Sequence, residues 1–156
     1  MLSYGAETRS VKEVDYINMD ISDHPGEALG PVYLKMQGRK AYEYAISYVP
    51  GAMKACLDKS GVDIHDVKKI FIHQANQKMD EAIVDRFYQL YGVKPPEHVM
   101  PMCIQWLGNS SVATIPTLLD LVRKGEVPDQ SLHPGDLLIF ASVGAGMHIN
   151  AVCYRY

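Results

Sequence analysis

Three short polar segments carry residue types suited to chemistry on a carbonyl group. His73 stands in Ile72-His73-Gln74-Ala75-Asn76, Asn109 stands in Gly108-Asn109-Ser110-Ser111, and a glycine turn follows at Val143-Gly144-Ala145-Gly146. A neutral imidazole and a primary amide both donate hydrogen bonds to an oxygen that is gaining negative charge. Such an oxyanion hole needs no nucleophile from the same chain. The backbone of Gly144, Ala145 and Gly146 adds N–H groups that can face a second oxygen. Each segment also has a plainer structural use. His73 can be a hydrogen-bonded histidine at a strand end, and Asn76 is first of all a helix N-cap. Ser110 or Ser111 can cap the helix that follows them, and the glycine turn can simply close a hairpin.

Other chemistries lack their residues. A dinucleotide-binding G-x-G-x-x-G would need its third glycine at Ile149, and no helix follows. The histidines at 24, 65, 73, 98, 133 and 148 form no H-x-x-x-H pair, so no metal site is predicted. Cys56 falls on the apolar stripe of a helix, Cys153 inside the last strand and Cys103 in an apolar stretch before Trp106, which makes each a small buried hydrophobe. Three cysteines without a C-x-x-C pair argue against a disulfide framework and a zinc knuckle. No G-x-S-x-G elbow exists either, so the chain offers no activated nucleophile.

These segments must be held by ordered elements, and the periodicity supplies them. Residues 15–38 mix Asp, Asn, Pro and Gly without a sustained period, which predicts a long polar loop with one short strand near Val32 to Met36. Ala41, Tyr42, Ala45, Ile46, Val49, Met53, Cys56 and Leu57 recur at helical steps up to Gly61, with a kink expected at Pro50-Gly51. Ile70-Phe71-Ile72 reads as a strand. After it, Met79, Ala82, Ile83, Phe87 and Leu90 mark a second helix, ended by Gly92 and Pro95-Pro96. Val99 to Cys103 is predicted to be a strand, and Gly108 to Ser111 to open a third helix along Val112, Ile115, Leu118, Leu119 and Val122, stopped at Gly125. Strands over Asp136 to Ser142 and Met147 to Arg155 close the chain as a hairpin. The sum is an α/β fold, three layers α/β/α around a mixed sheet. In such sheets ligands gather beyond the carboxyl ends of the parallel strands, where His73, Asn109 and the glycine turn can meet.

Composition bounds the partners. The chain has 156 residues, 47% hydrophobic and 21% charged, enough for one domain over residues 1–156 with its own core. Fifteen basic against 18 acidic residues argue against nucleic acid or an anionic membrane surface as the main partner. No segment has the apolar length of a membrane span and the N-terminus lacks a signal-peptide pattern, so a cytoplasmic location is expected.

The ordered motifs resemble the C-terminal half of the β-ketoacyl-acyl-carrier-protein synthase III family, within the thiolase-like superfamily. The resemblance runs from Met36-Gln37-Gly38-Arg39 through Ile72-His73-Gln74-Ala75-Asn76, Gly108-Asn109-Ser110-Ser111-Val112-Ala113 and Ile115-Pro116 to Gly135-Asp136 and Gly144-Ala145-Gly146. It implies a thiolase-like half with a five-stranded mixed sheet, completed by a separate N-terminal half that carries the nucleophilic cysteine, usually within a homodimer. The implied substrates are an acyl-CoA and malonyl-acyl-carrier-protein, with no cofactor. His73 and Asn109 are implied to stabilise the enolate formed by decarboxylation. Ala145, between Gly144 and Gly146, is implied as the backbone donor to the acyl-cysteine carbonyl, and Lys78 as a docking residue for the acidic carrier protein. Exposed apolar surface is expected where the other half is missing, and the 156-residue chain alone is expected not to condense acyl groups. The rival reading is a non-catalytic thiolase-like domain that binds an acyl thioester or a carrier protein. After Gly146 the chain departs from the family's Leu-Thr-Trp-Gly-like run with Met147-His148-Ile149-Asn150.

Overall fold

A computed structural model describes residues 1–8, 12–22 and 30–156. The strands are β1 (Ser3–Thr8), β2 (Ile17–Asp20), β3 (Tyr33–Met36), β4 (Val67–Ile72), β5 (Leu137–Gly144) and β6 (His148–Arg155). The helices are α1 (Gly38–Ser60), α2 (Gln77–Gln89), α3 (Ile104–Leu107) and α4 (Thr114–Arg123). Ile70 to Ile72 of β4 and Leu137 to Ala141 of β5 are continuous apolar runs, the pattern of strands buried on both faces. They pair in parallel with Ile72 opposite Ala141, while β5–β6 and β6–β1 pair antiparallel, giving the order β1-β6-β5-β4. The mixed sheet therefore has four strands among the described residues, one fewer than expected.

Alternation along the strands sorts side chains onto two faces. Ile70, Ile72, Ile139, Ala141, Ile149 and Ala151 pack with Val49, Met53 and Leu57 of α1 and Ile83 and Phe87 of α2. Phe71 and Leu138 point the other way, onto Leu118 and Val122 of α4. Helices thus cover both faces, and the three layers read from the sequence are present.

Several elements differ from expectation, each for a physical reason. Val99 to Cys103 is not a strand. Only one backbone bond joins it to β4, from Ile70 N to Val99 O at 2.7 Å, because Pro101 has no N–H and the amides of Cys103 and Ile104 are taken by the Gln74 side chain. α1, by contrast, is one helix across Pro50, as the continuing stripe predicts. A proline leaves the carbonyl four residues earlier without its helical partner, and here Arg86 of α2 donates to that carbonyl, Ile46 O, at 2.9 Å. Tyr44 is buried on α1 where Tyr42 was expected, and Tyr42 is exposed. The 15–38 segment holds two strands rather than one, β2 pairing with β3; residues 23–29, including His24, lie outside the described residues. α4 starts only at Thr114, after the short α3 and a 3-10 turn at Ser111–Ala113, and neither Ser110 nor Ser111 caps it with its side chain. β1 has no counterpart in the sequence reading. As expected, Gly61 and Gly125 end α1 and α4 in the left-handed conformation. Among the described residues no helix is long and apolar enough to cross a membrane.

Candidate active site

The parallel pair β4–β5 brings two of the three polar segments to one sheet edge. His73 follows the last residue of β4, and its N–H donates to Ala141 O at 3.0 Å. Gly144 ends β5 three residues beyond Ala141, so the glycine turn stands about 10 Å further along the neighbouring strand. Asn76 then caps α2, its side-chain oxygen accepting from Met79 N at 3.2 Å. That is the structural use foreseen for it.

The third segment reaches His73 through Ser111. The His73 Nδ1 lies 3.2 Å from Ser111 O, and Ser111 N donates to Asn109 Oδ1 at 2.9 Å. One serine backbone therefore links the imidazole to the amide. The amide's NH2 end keeps its two donors for a ligand. Ser111 achieves this at φ 54, in the left-handed region that non-glycine residues seldom adopt. The structure brings His73 and Asn109 together as the sequence suggests, with a detail that residue types do not disclose. A carbonyl only accepts, so Nδ1 carries the proton in the bond to Ser111, and Nε2 of the neutral ring is left as an acceptor. Burial lowers the His73 pKa, partly offset by the Ser111 bond, so the neutral ring is favoured near pH 7.

The glycine turn is a three-residue 3-10 turn, Ala145–Met147, with Gly146 at φ 73 and Met147 at φ 50. It closes the expected hairpin. The buried Tyr44 hydroxyl of α1 donates to Met147 O at 2.9 Å and anchors the turn to the helix layer. Gly144 and Ala145 are exposed. Lys78 stands exposed on the first turn of α2.

Two residues escaped the sequence reading. Gln74, fully buried, donates from Nε2 to Pro101 O at 3.1 Å and accepts at Oε1 from Cys103 N and Ile104 N, each at 2.9 Å. Tyr44 is the other; its place three residues after Ala41 on the helix was the available clue. The three cysteines are buried thiols, and burial raises the pKa of Cys103 and Cys153, which disfavours the nucleophilic thiolate. Among the described residues no group of three His, Cys, Asp or Glu is placed to hold a metal ion.

The mixed sheet order and the helix layers on both its faces define a half of the thiolase-like fold. Known proteins bear this out. Residues 57–156 match the family described as 3-Oxoacyl-[acyl-carrier-protein (ACP)] synthase III C terminal, and the chain belongs to that family. It is similar to β-ketoacyl-[acyl-carrier-protein] synthase III of Oenococcus oeni, 30% identical over 127 residues that make up 81% of this chain and 36% of the relative. It is likewise similar to the Microcystis aeruginosa synthase III, 32% identical over 124 residues, 79% of this chain and 34% of the relative. The crystal structure of 3-oxoacyl-[acyl-carrier-protein] synthase III from Aquifex aeolicus shares the fold, with a TM-score of 0.78 at 24% identity, over 100% of this chain and 44% of that one. The priming β-ketosynthase of the R1128 polyketide pathway gives 0.75 at 27% identity over 98% and 43%. The chain thus spans about a third of the length of the curated relatives it matches.

Proposed function

We propose that residues 1–156 form the C-terminal domain of a condensing acyltransferase of the 3-oxoacyl-[acyl-carrier-protein] synthase III type, acting in fatty-acid or related polyketide synthesis. The observation that carries this reading is the backbone link from His73 through Ser111 to Asn109, which ties the imidazole at the end of a parallel strand to the side-chain amide. The N-terminal half supplies the cysteine that is loaded from an acyl-CoA. A malonyl thioester on acyl carrier protein then enters. Its C–C bond to the carboxylate breaks, carbon dioxide leaves, and the electron pair forms an enolate whose oxygen receives hydrogen bonds from His73 Nε2 and the Asn109 amide. The enolate carbon attacks the acyl-cysteine carbonyl, whose oxygen is held by the Ala145 N–H in the Gly144–Gly146 turn, and the cysteine leaves as thiolate. No cofactor is needed.

For His73 to donate from Nε2, its single proton must move there from Nδ1. This breaks the bond to Ser111 O, a neutral hydrogen bond worth about 1 kcal/mol. Ser111 is exposed, so water can take its place. Each oxyanion donor in such a site lowers the barrier by about 3–4 kcal/mol, far more than the tautomer change costs.

Other features support the remaining parts. Val112 is 93% exposed, and Trp106 and Leu107 beside Asn109 are exposed too, the apolar surface expected where the N-terminal half packs. Lys78 is the docking residue for the acidic carrier protein. The intact enzyme works as a homodimer, and the isolated chain does not condense acyl groups.

The test is to separate the half-reactions in the intact enzyme. His73→Ala and Asn109→Ala each lower malonyl-thioester decarboxylation by about 100- to 1,000-fold while acyl loading of the cysteine persists. Equal loss of both steps in well-folded variants would defeat this division of labour. Unchanged decarboxylation would instead favour a non-catalytic thiolase-like domain that binds an acyl thioester or a carrier protein.

A further inference from the structure

The two donors sit on segments that the chain reaches separately, His73 at the end of β4 and Asn109 after α3. Their spacing needs a fixed strut, and the Ser111 link alone lies in an exposed loop. The strut is the side chain of Gln74, the residue directly after His73. It is 0% exposed. Its Oε1 accepts from Cys103 N and Ile104 N, both at 2.9 Å, with Cys103 Sγ at 3.6 Å, and its Nε2 donates to Pro101 O at 3.1 Å.

These partners sit at the start of α3, where amides have no partner within the helix and where Cys103 provides no side-chain cap of its own. Gln74 supplies the missing acceptor from across the sheet edge. From Ile104 the path to Asn109 is short and bonded, since Gly108 N donates to Ile104 O at 3.0 Å. The bonds therefore close a ring: His73, Gln74, Ile104, Gly108, Asn109, Ser111 and back to His73 Nδ1. Only the Gln74 segment of that ring is fully buried.

We infer that Gln74 is a positioning residue, whose side-chain amide sets where the Asn109 amide lies relative to the His73 imidazole. The inference rests on the assignment of those two residues to the enolate site. Its acceptor end does the positioning, because Oε1 holds the two amides that lead into α3. A glutamate keeps such an oxygen whether or not it is ionised, whereas a methionine of similar shape leaves Cys103 N, Ile104 N and Pro101 O without partners.

The experiment compares Gln74→Met and Gln74→Glu in the intact enzyme, reading the side-chain amide resonances of Asn109, the ring nitrogen resonances of His73, and both half-reactions. Gln74→Met is expected to shift the Asn109 and His73 resonances and to lower decarboxylation at least about tenfold, with acyl loading within about twofold; a misplacement of about 1 Å can cost about a hundredfold. Gln74→Glu is expected to restore the resonances and most of the decarboxylation rate. Persistence of acyl loading certifies the fold. If Gln74→Met does not load, Gln74→Asn, which keeps the amide but withdraws it by one methylene, carries the same expectation. Resonances that stay in place, or a loss of decarboxylation and loading in equal measure in folded protein, would overturn the inference. Resonances that shift while His73→Ala leaves decarboxylation intact would keep Gln74 as the strut and remove the enolate site.

Discussion

Asp80 lies on α2, one turn beyond the Asn76 cap, and is fully buried with neither carboxyl oxygen hydrogen-bonded among the described residues. Burial, with a smaller contribution from the negative charge of Glu81, pushes its pKa up to about 8. In the unfolded chain an aspartate titrates near 3.9. The folded protein therefore holds a proton that the unfolded chain gives up, so stability is greatest in acid and falls as pH rises between those values. One proton changes stability by about 1.4 kcal/mol per pH unit, which gives a loss of about 3–4 kcal/mol from this group between pH 5 and pH 8. Asp80→Asn keeps the shape and removes the titration. Denaturant unfolding of the protein and the variant at pH 5, 6, 7 and 8 measures the difference. The variant should gain on the natural protein steadily as pH rises, and the gap should widen by about 3 kcal/mol across the range. A gap that stays constant with pH would show that Asp80 is ionised in the folded state, held by a partner or by water, and would refute the argument from burial.

Three further outcomes are expected. Tyr44→Phe leaves the buried Met147 carbonyl without its donor and should destabilise the fold by about 1–3 kcal/mol in denaturant titration; a loss near zero would mean that the glycine turn stands without Tyr44. Decarboxylation by the intact enzyme should stay level from about pH 7 to 8.5, because burial keeps His73 neutral there; a roughly tenfold fall per pH unit would make the imidazolium the donor instead. Lys78→Glu should raise the KM for the carrier-protein substrate several-fold and leave that for acyl-CoA unchanged, and equal values for wild type and variant would remove Lys78 from the docking surface.

The elements legible in the sequence were those whose burial follows a period. The stripe through Ala45, Val49, Met53 and Leu57, the apolar run at Ile70 to Ile72, and the hairpin closed at Gly144 to Gly146 all formed where expected. The parts that escaped depend on contacts between distant residues. That α1 continues past Pro50 follows from its stripe, but the donor on the orphaned carbonyl, Arg86 of another helix, does not. Val99 to Cys103 looks like a strand, but its amides and carbonyls answer to Pro101 and to the Gln74 side chain, neither of which a local pattern weighs. β1, SYGAET, is short and half polar, and only the partner strand β6 makes it a strand. At the site, residue types pointed to His73 and Asn109 as donors. The tautomer of His73 did not follow from them, because it is set by a backbone carbonyl in a loop 38 residues away.

The most direct test is the crystal structure of the intact enzyme bound to a malonyl-thioester analogue that cannot decarboxylate. The thioester oxygen is expected within about 2.7–3.2 Å of both His73 Nε2 and the Asn109 amide nitrogen, with His73 Nδ1 released from Ser111. A thioester oxygen held by neither residue, with Nδ1 still bonded to Ser111, would contradict the assignment of this pair to the enolate site.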